Sequence, residues 1–273
     1  MNKTTLQHYS LSFITALVLT GSADAATVWV GGVDNNWNTA GNWSDGVPDT
    51  AGETVTIGNG FTVNATTDIN LITYNVNLQG TLNYGSGFAD YNGGTGSITV
   101  SGNGKLWGVP NTWITPSSGN QTINLVGASA QIGNFYEFGS FTAGVTMNWN
   151  FTPGETGINA VQTNLRTTDG TDNLSVDLSG YNTANGDTLT LFSYGSIKNP
   201  GTALIESVVI NGQSIGTNLG TGTTAFSVGN WGGDLVISGT SVQLQNLAWV
   251  PEPSSTALLG LGGFALALRR RRS

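Results

Sequence analysis

Four aspartates, Asp169, Asp172, Asp177 and Asp187, form the densest acidic group in the chain, and a carboxylate pair is the first catalytic apparatus to test for. Glycoside hydrolysis needs two such groups about 5 to 10 Å apart. Asp177, however, alternates with Leu174, Val176 and Leu178, which puts it on the solvent face of a strand rather than in a cleft. The same region contains Asp169-Gly170-Thr171-Asp172-Asn173, a turn rich in the oxygen ligands that calcium takes. It lacks the ligand count and spacing of an EF-hand loop, and Asx turns produce the same composition without an ion. The expectation is no cofactor, with calcium at this turn as the alternative.

Other chemistries lack their residues. Cysteine is absent, which removes thiol nucleophiles, disulfides and thiolate metal sites. The single histidine, His8, lies in a segment expected to be removed, so no Ser-His-Asp triad or histidine-bound zinc is available to the mature chain. A basic catalyst would have to be Lys105, Arg166 or Lys198, each set among Gly, Asn or Thr without a partner pattern. The chain is therefore expected not to be an enzyme. Trp107, Trp113 and Trp231 could stack on sugars, against a default of core packing. Ice binding would need Thr-x-Thr on successive coils, and only Thr54-Val55-Thr56 and Thr188-Leu189-Thr190 fit.

Between Ala26 and Val250 those three basic residues face 14 acidic ones, a net charge near −11. Such a surface repels phosphate backbones, which argues against nucleic acid as a partner.

Both ends carry export signals. Lys3, the apolar run Leu11 to Leu19 and Gly21-Ser22-Ala23-Asp24-Ala25 read as a secretory signal, with cleavage after the Ala23-x-Ala25 site and before Ala26. The apolar run is about half the length needed to span a bilayer. At the other end Val250-Pro251-Glu252-Pro253 precedes Ser254-Ser255-Thr256, an apolar stretch from Ala257 to Leu268, and Arg269-Arg270-Arg271-Arg272. The prolines hold their segment extended, as a processing enzyme's cleft requires. A short transmembrane helix is expected over 254–268. Its apolar stretch would rise only ~18 Å, short of the ~30 Å hydrocarbon core, with arginine snorkelling making up part of the difference. The arginines would stay cytoplasmic and leave the body outside.

This tail resembles the PEP-CTERM sorting signal of Gram-negative bacteria, a tail also labelled as an ice-binding protein C-terminal domain. The resemblance implies recognition by a membrane-embedded exosortase near Val250 to Pro253 and transient residence in the inner membrane. It also implies association with exopolysaccharide and biofilm envelopes. It covers only about the last 24 residues and gives the body no activity.

The body reads as all-β. Its 40 glycines follow no Gly-X-Y period and lie among Val, Ile, Leu and aromatic residues, which suits many tight turns. Ile72 to Gln79 alternates strictly, and shorter runs occur at 97–100, 122–126, 145–151, 174–178, 188–192, 204–210, 235–237 and 242–244. Asn-Gly pairs at 59, 92, 103, 185 and 211 supply turn residues, with Asn211-Gly212 the clearest hairpin. No fixed repeat is present. The opening segment, with Trp29, Trp37, Trp43, Asp45-Gly46-Val47-Pro48 and Thr54-Val55-Thr56-Ile57, resembles the start of autotransporter-like β-solenoids. The three tryptophans would cap the open end of a β stack.

The expected organisation is a signal peptide at 1–25, an irregular β-solenoid over 26–150, an antiparallel β-sandwich-like region over 151–248 and a sorting tail over 249–273. A single β-sandwich or jelly roll is the alternative. The expected role is that of an exported, sorted surface or extracellular-matrix protein with a structural or adhesive function. Signal peptidase, exosortase and exopolysaccharide are its expected partners, and a carbohydrate-binding or carbohydrate-active module is the alternative.

Overall fold

The structure is a computed structural model that describes residues 26–66, 69, 71–85, 95–108, 112–139, 143–166, 170–182, 188–195, 197–198 and 204–250. The expected signal peptide (1–25) and the tail from Pro251 onward, with its expected helix, lie outside these residues. In chain order the strands are β1 (Ala26–Val28), β2 (Thr54–Ile57), β3 (Thr62–Ala65), β4 (Asn75–Leu78), β5 (Thr81–Tyr84), β6 (Ser97–Ser101), β7 (Lys105–Gly108), β8 (Trp113–Ile114), β9 (Asn120–Val126) and β10 (Gln131–Phe138). There follow β11 (Thr146–Thr152), β12 (Val161–Arg166), β13 (Thr171–Val176), β14 (Leu189–Ser193), β15 (Ile197–Lys198), β16 (Ile205–Ile210), β17 (Gln213–Leu219), β18 (Gly222–Val228), β19 (Trp231–Ile237) and β20 (Ser241–Trp249). Two 3₁₀ turns accompany them among the described residues, and no α-helix.

Strands alternate between two sheets, so that each pair is one coil of a β-solenoid of about five turns. The nine-stranded sheet runs β1-β2-β4-β6-β9-β11-β13-β16-β17, and the 11-stranded sheet runs β18-β19-β20-β14-β12-β10-β7-β5-β3. Because side chains alternate across a strand, parallel stacking in register turns each inward position into a column. In the nine-stranded sheet Val55, Val76, Ile98, Ile123, Trp149, Leu174 and Val208 form one column, and Ile57, Leu78, Val100, Leu125, Phe151, Val176 and Ile210 the other. All fourteen are buried. Where the columns widen to Trp149 and Phe151, the Phe192 ring fills the space between the sheets, edge-to-face to both at 5.0 and 5.2 Å.

The coils are alike in cross-section but not in length. Thr54, Asn75, Ser97, Thr122, Asn148, Asn173 and Ser207 share one outward row, yet are separated by 21, 22, 25, 26, 25 and 34 residues. The surplus lies in the corners, which is why no repeat shows in the sequence. At the corner before β7, a side chain on Gly104 would strike the Leu78 carbonyl of the coil below.

Parallel pairing does not stop near residue 150, where the sequence suggested a change of architecture. Pro153-Gly154 forms a tight corner, closed by reciprocal Gly154 and Gly157 backbone bonds of 2.7 and 3.0 Å, and β12, β13 and β16 continue the coils beyond it. Antiparallel pairing enters at β16–β17 and at β14–β20, then builds the β18-β19-β20 meander. The β16–β17 hairpin turns on Asn211 (φ 48°) and Gly212 (φ 77°), the two positive φ values that a two-residue type I′ loop needs.

The first coil is closed by residues 29–45. Trp29, Trp37 and Trp43 are buried against one another edge-to-face, with centroids 4.9 and 4.8 Å apart. The Trp43 indole N–H donates to the Trp37 carbonyl at 2.6 Å. The segment also bonds the free edge of β3, with Trp37 N–H donating to Asn64 O and Asn64 N–H to Asn35 O. Buried Asn42 ties the loop together, accepting from Val33 N–H and donating to Asp34 Oδ1. The Asn36 N–H, with the Asn42 amide and the Thr39 hydroxyl, holds the Asp34 carboxyl below its ordinary pKa. The tryptophans therefore cap the stack.

Replacing Trp37 by alanine removes the fully buried centre of this cap. Trp37→Ala is expected to cost about 3–5 kcal/mol of stability, read from the denaturation midpoint.

Candidate functional site

Two processing points and two concave surfaces are the parts of this molecule with functional content. β1 begins at Ala26, the residue that would follow signal cleavage, and Ala26 is exposed. Ala23 and Ala25 lie outside the described residues. At the opposite end β20 runs between β19 and β14 and stops at Trp249, whose ring meets Trp231 edge-to-face at 5.3 Å. Val250 donates its N–H to Asn230 O at 2.7 Å, and its side chain is 59% exposed. The sorting segment thus follows directly on a strand paired with β19 up to Trp249 and with β14 over Ser241–Leu244. Pro251, Glu252, Pro253 and Arg269 to Arg272 lie outside the described residues.

The aspartates do not converge. Asp172 is 1% exposed and accepts from the Trp149 indole N–H at 3.1 Å, so its carboxylate satisfies an interior donor rather than lining a turn. Asp177 lies beyond the far end of β13, exposed and accepting from Ser179 N–H at 2.9 Å. Five residues of extended chain separate the two by about 16 Å. Asp169 and Asp187 lie outside the described residues, and no group of three potential metal ligands occurs among those described. Beside Asp172 the sequence reading missed Glu206, whose carboxylate accepts from the Asp172 backbone N–H at 2.6 Å. Burial raises the Glu206 pKa, opposed in part by that bond.

Of the candidate tryptophans, Trp231 is buried beneath Trp249 and Tyr181. Trp113 lies in β8, its side chain outside the description. Trp107 is on the outer face of the 11-stranded sheet and partly buried. It borders a groove of about 520 Å³ with Asn134, Phe135, Gln162, Thr163, Ser193 and Tyr194. A smaller cleft of about 360 Å³ lies between Ser179, Tyr181, Asn182, Trp231 and Trp249. Trp249 escaped the sequence reading because it directly abuts the sorting tail. Lys105 is exposed, and the side chains of Arg166 and Lys198 fall outside the description.

The outer face of the nine-stranded sheet is a polar ladder. Asn150 donates to Asn124 and Asn124 to Thr99, at 2.9 and 3.0 Å, and Asn173 donates to Asn148 at 3.0 Å. These amides bond one another from coil to coil. Thr-x-Thr occurs on this face only in β2, among the described strands.

The tail carries the class of the protein: a C-terminal segment of the kind that directs an exported chain to a membrane processing enzyme. The family model described as PEP-CTERM protein-sorting motif matches residues 250–272. The chain is thus an exported, exosortase-sorted surface protein. The autotransporter-like resemblance of the opening segment gains no support beyond the solenoid itself. No curated protein and no solved structure matches the chain.

Because burial favours the protonated form of Glu206, its contribution to stability is fully present below the ordinary carboxylate pKa and is lost as pH rises through the raised one. Glu206→Gln, which keeps an acceptor for the Asp172 N–H, is expected to raise Tm at about pH 7. That gain should vanish near pH 4, as measured by thermal melts at the two values.

Proposed function

We propose that the mature chain is a structural or adhesive component of the cell surface or extracellular matrix. Signal peptidase cuts after Ala25, and the precursor stays in the inner membrane through 254–268, with Arg269 to Arg272 on the cytoplasmic side. Exosortase then recognises Val250 to Pro253. The observation that carries the reading is that the matched motif begins at residue 250, directly after the last described strand, so a cut there would leave the described coils intact. A non-catalytic role is supported by a body without histidine or cysteine, in which Asp172 serves an indole and Asp177 a turn.

Intact mass and fractionation in a host carrying the matching exosortase test this directly. The unsubstituted chain should lose residues 1–25 and its tail and leave the membrane. Pro251→Ala combined with Glu252→Ala should leave a heavier, membrane-retained form. Unchanged mass and unchanged release in that variant would defeat the sorting assignment. Turnover of a polysaccharide by the purified chain, abolished by Asp169→Ala or Asp187→Ala, would defeat the non-catalytic one.

A further inference from the structure

The groove beside Trp107 has the composition of a sugar site. Asn83, Trp107, Gly133, Gln162 and Ser193 form one outward row across β5, β7, β10, β12 and β14. Gly133 makes room for the indole: a Cβ there would lie 2.7 Å from Trp107 Cζ3, so the six-membered ring leans over β10 into the space of the missing side chain. One residue on, Asn134 takes φ 62° and donates to Gly108 O at 2.7 Å, and the register of β10 shifts on either side of Phe135. This bulge turns a flat sheet face into a groove, floored by buried Phe135 and Thr163 and walled by Tyr194. The Tyr194 hydroxyl donates to Ser238 O at 2.7 Å, and burial pushes its pKa up to about 12, so the wall is fixed and neutral.

Three polar groups here are not engaged by other described residues: the Trp107 indole N–H, the Gln162 amide and the Ser193 hydroxyl. An aromatic face flanked by an amide and a hydroxyl suits a pyranose, whose C–H face stacks while its hydroxyls both donate and accept. Charge narrows the class. Among the described residues neither a carboxylate nor a cation lines the groove, although the body is strongly acidic. A described lining without a cation offers a polyanion nothing to pair with. From Trp107 to Ser193 the row spans three strand intervals, about 14 Å, which exceeds one sugar.

We propose that this groove binds a neutral polysaccharide, with one pyranose on Trp107 and flanking hydroxyls bonded by Gln162 and Ser193. The inference rests on the exported reading only for its setting, since extracellular polysaccharide is met outside the cell. Binding is measured on purified protein, so sorting and binding can fail separately.

The test is native affinity electrophoresis of the full chain in nonionic detergent, through gels containing hydroxyethylcellulose, laminarin, galactomannan or alginate. At least one neutral polymer should retard the protein. Trp107→Ala should weaken that retardation at least tenfold, Trp107→Phe less, and Gln162→Ala with Ser193→Ala severalfold, each variant keeping the native circular dichroism spectrum. Trp249→Ala, in the separate cleft near the tail, should change nothing. No retardation by the three neutral polymers, or retardation by alginate alone, overturns the proposal. So does loss of binding in Trp249→Ala with Trp107→Ala unaffected. If Trp107→Ala fails to fold, unchanged binding in the Gln162 and Ser193 double variant overturns it as well.

Discussion

Parallel stacking of coils is the constraint from which the rest of this molecule follows. Each four-residue strand contributes two inward side chains, too few to bury anything alone, and gains a core only when the next coil completes the columns above it. Stacking in register also brings like onto like: Val on Val and Ile on Ile inside, Asn on Asn outside. The amide ladder is the outward expression of the same register, with Asn150, Asn124 and Thr99 passing a hydrogen bond from coil to coil. A stack so built has two ends, and they are closed by different means. Three tryptophans and a loop around Asn42 cover the first coil, whereas the last coils give way to antiparallel hairpins.

Charge sparseness fits this scheme. A carboxylate repeated on successive coils would sit about 4.8 Å from its neighbour, whereas amides and hydroxyls at that spacing satisfy one another. The acids of the body therefore lie mainly off the rows. Asp34 is fixed by the cap loop, Asp177 follows the end of β13, and Asp172 is turned inward onto an indole. Glu206, caught between burial and the backbone N–H groups of Asp172 and of its own residue, is where the arrangement is least comfortable.

Legibility in the sequence followed strand length and surroundings. The alternating strands of the nine-stranded sheet and the closing meander were visible in runs such as Val145 to Phe151, and Asn211-Gly212 announced its hairpin because only a few residue types accept two consecutive positive φ values. The other sheet was mostly hidden. β3, β5 and β7 offer two inward residues each, and β10 is broken by Gly133 and Asn134, so no period could be counted. That break also forms the groove, which made the concave surface hard to anticipate. The processing signals were legible because their information lies in local order and composition, not in contacts. The bond from the Trp149 indole to Asp172 was not legible, because the two residues are 23 apart in sequence and adjacent only across paired strands.

The placement of β20 carries a mechanical consequence. A chain held at residue 250 is held through a nine-residue strand paired with β19 up to Trp249 and with β14 over Ser241–Leu244. Tension applied along that strand loads its hydrogen bonds together, in shear, instead of opening them one after another as peeling from an edge would. Among the described strands, β1, β17, β18 and β3 lie at the sheet ends, and none of them leads directly into the tail. A tether attached beyond residue 250 would therefore pull on the protein through its more resistant geometry.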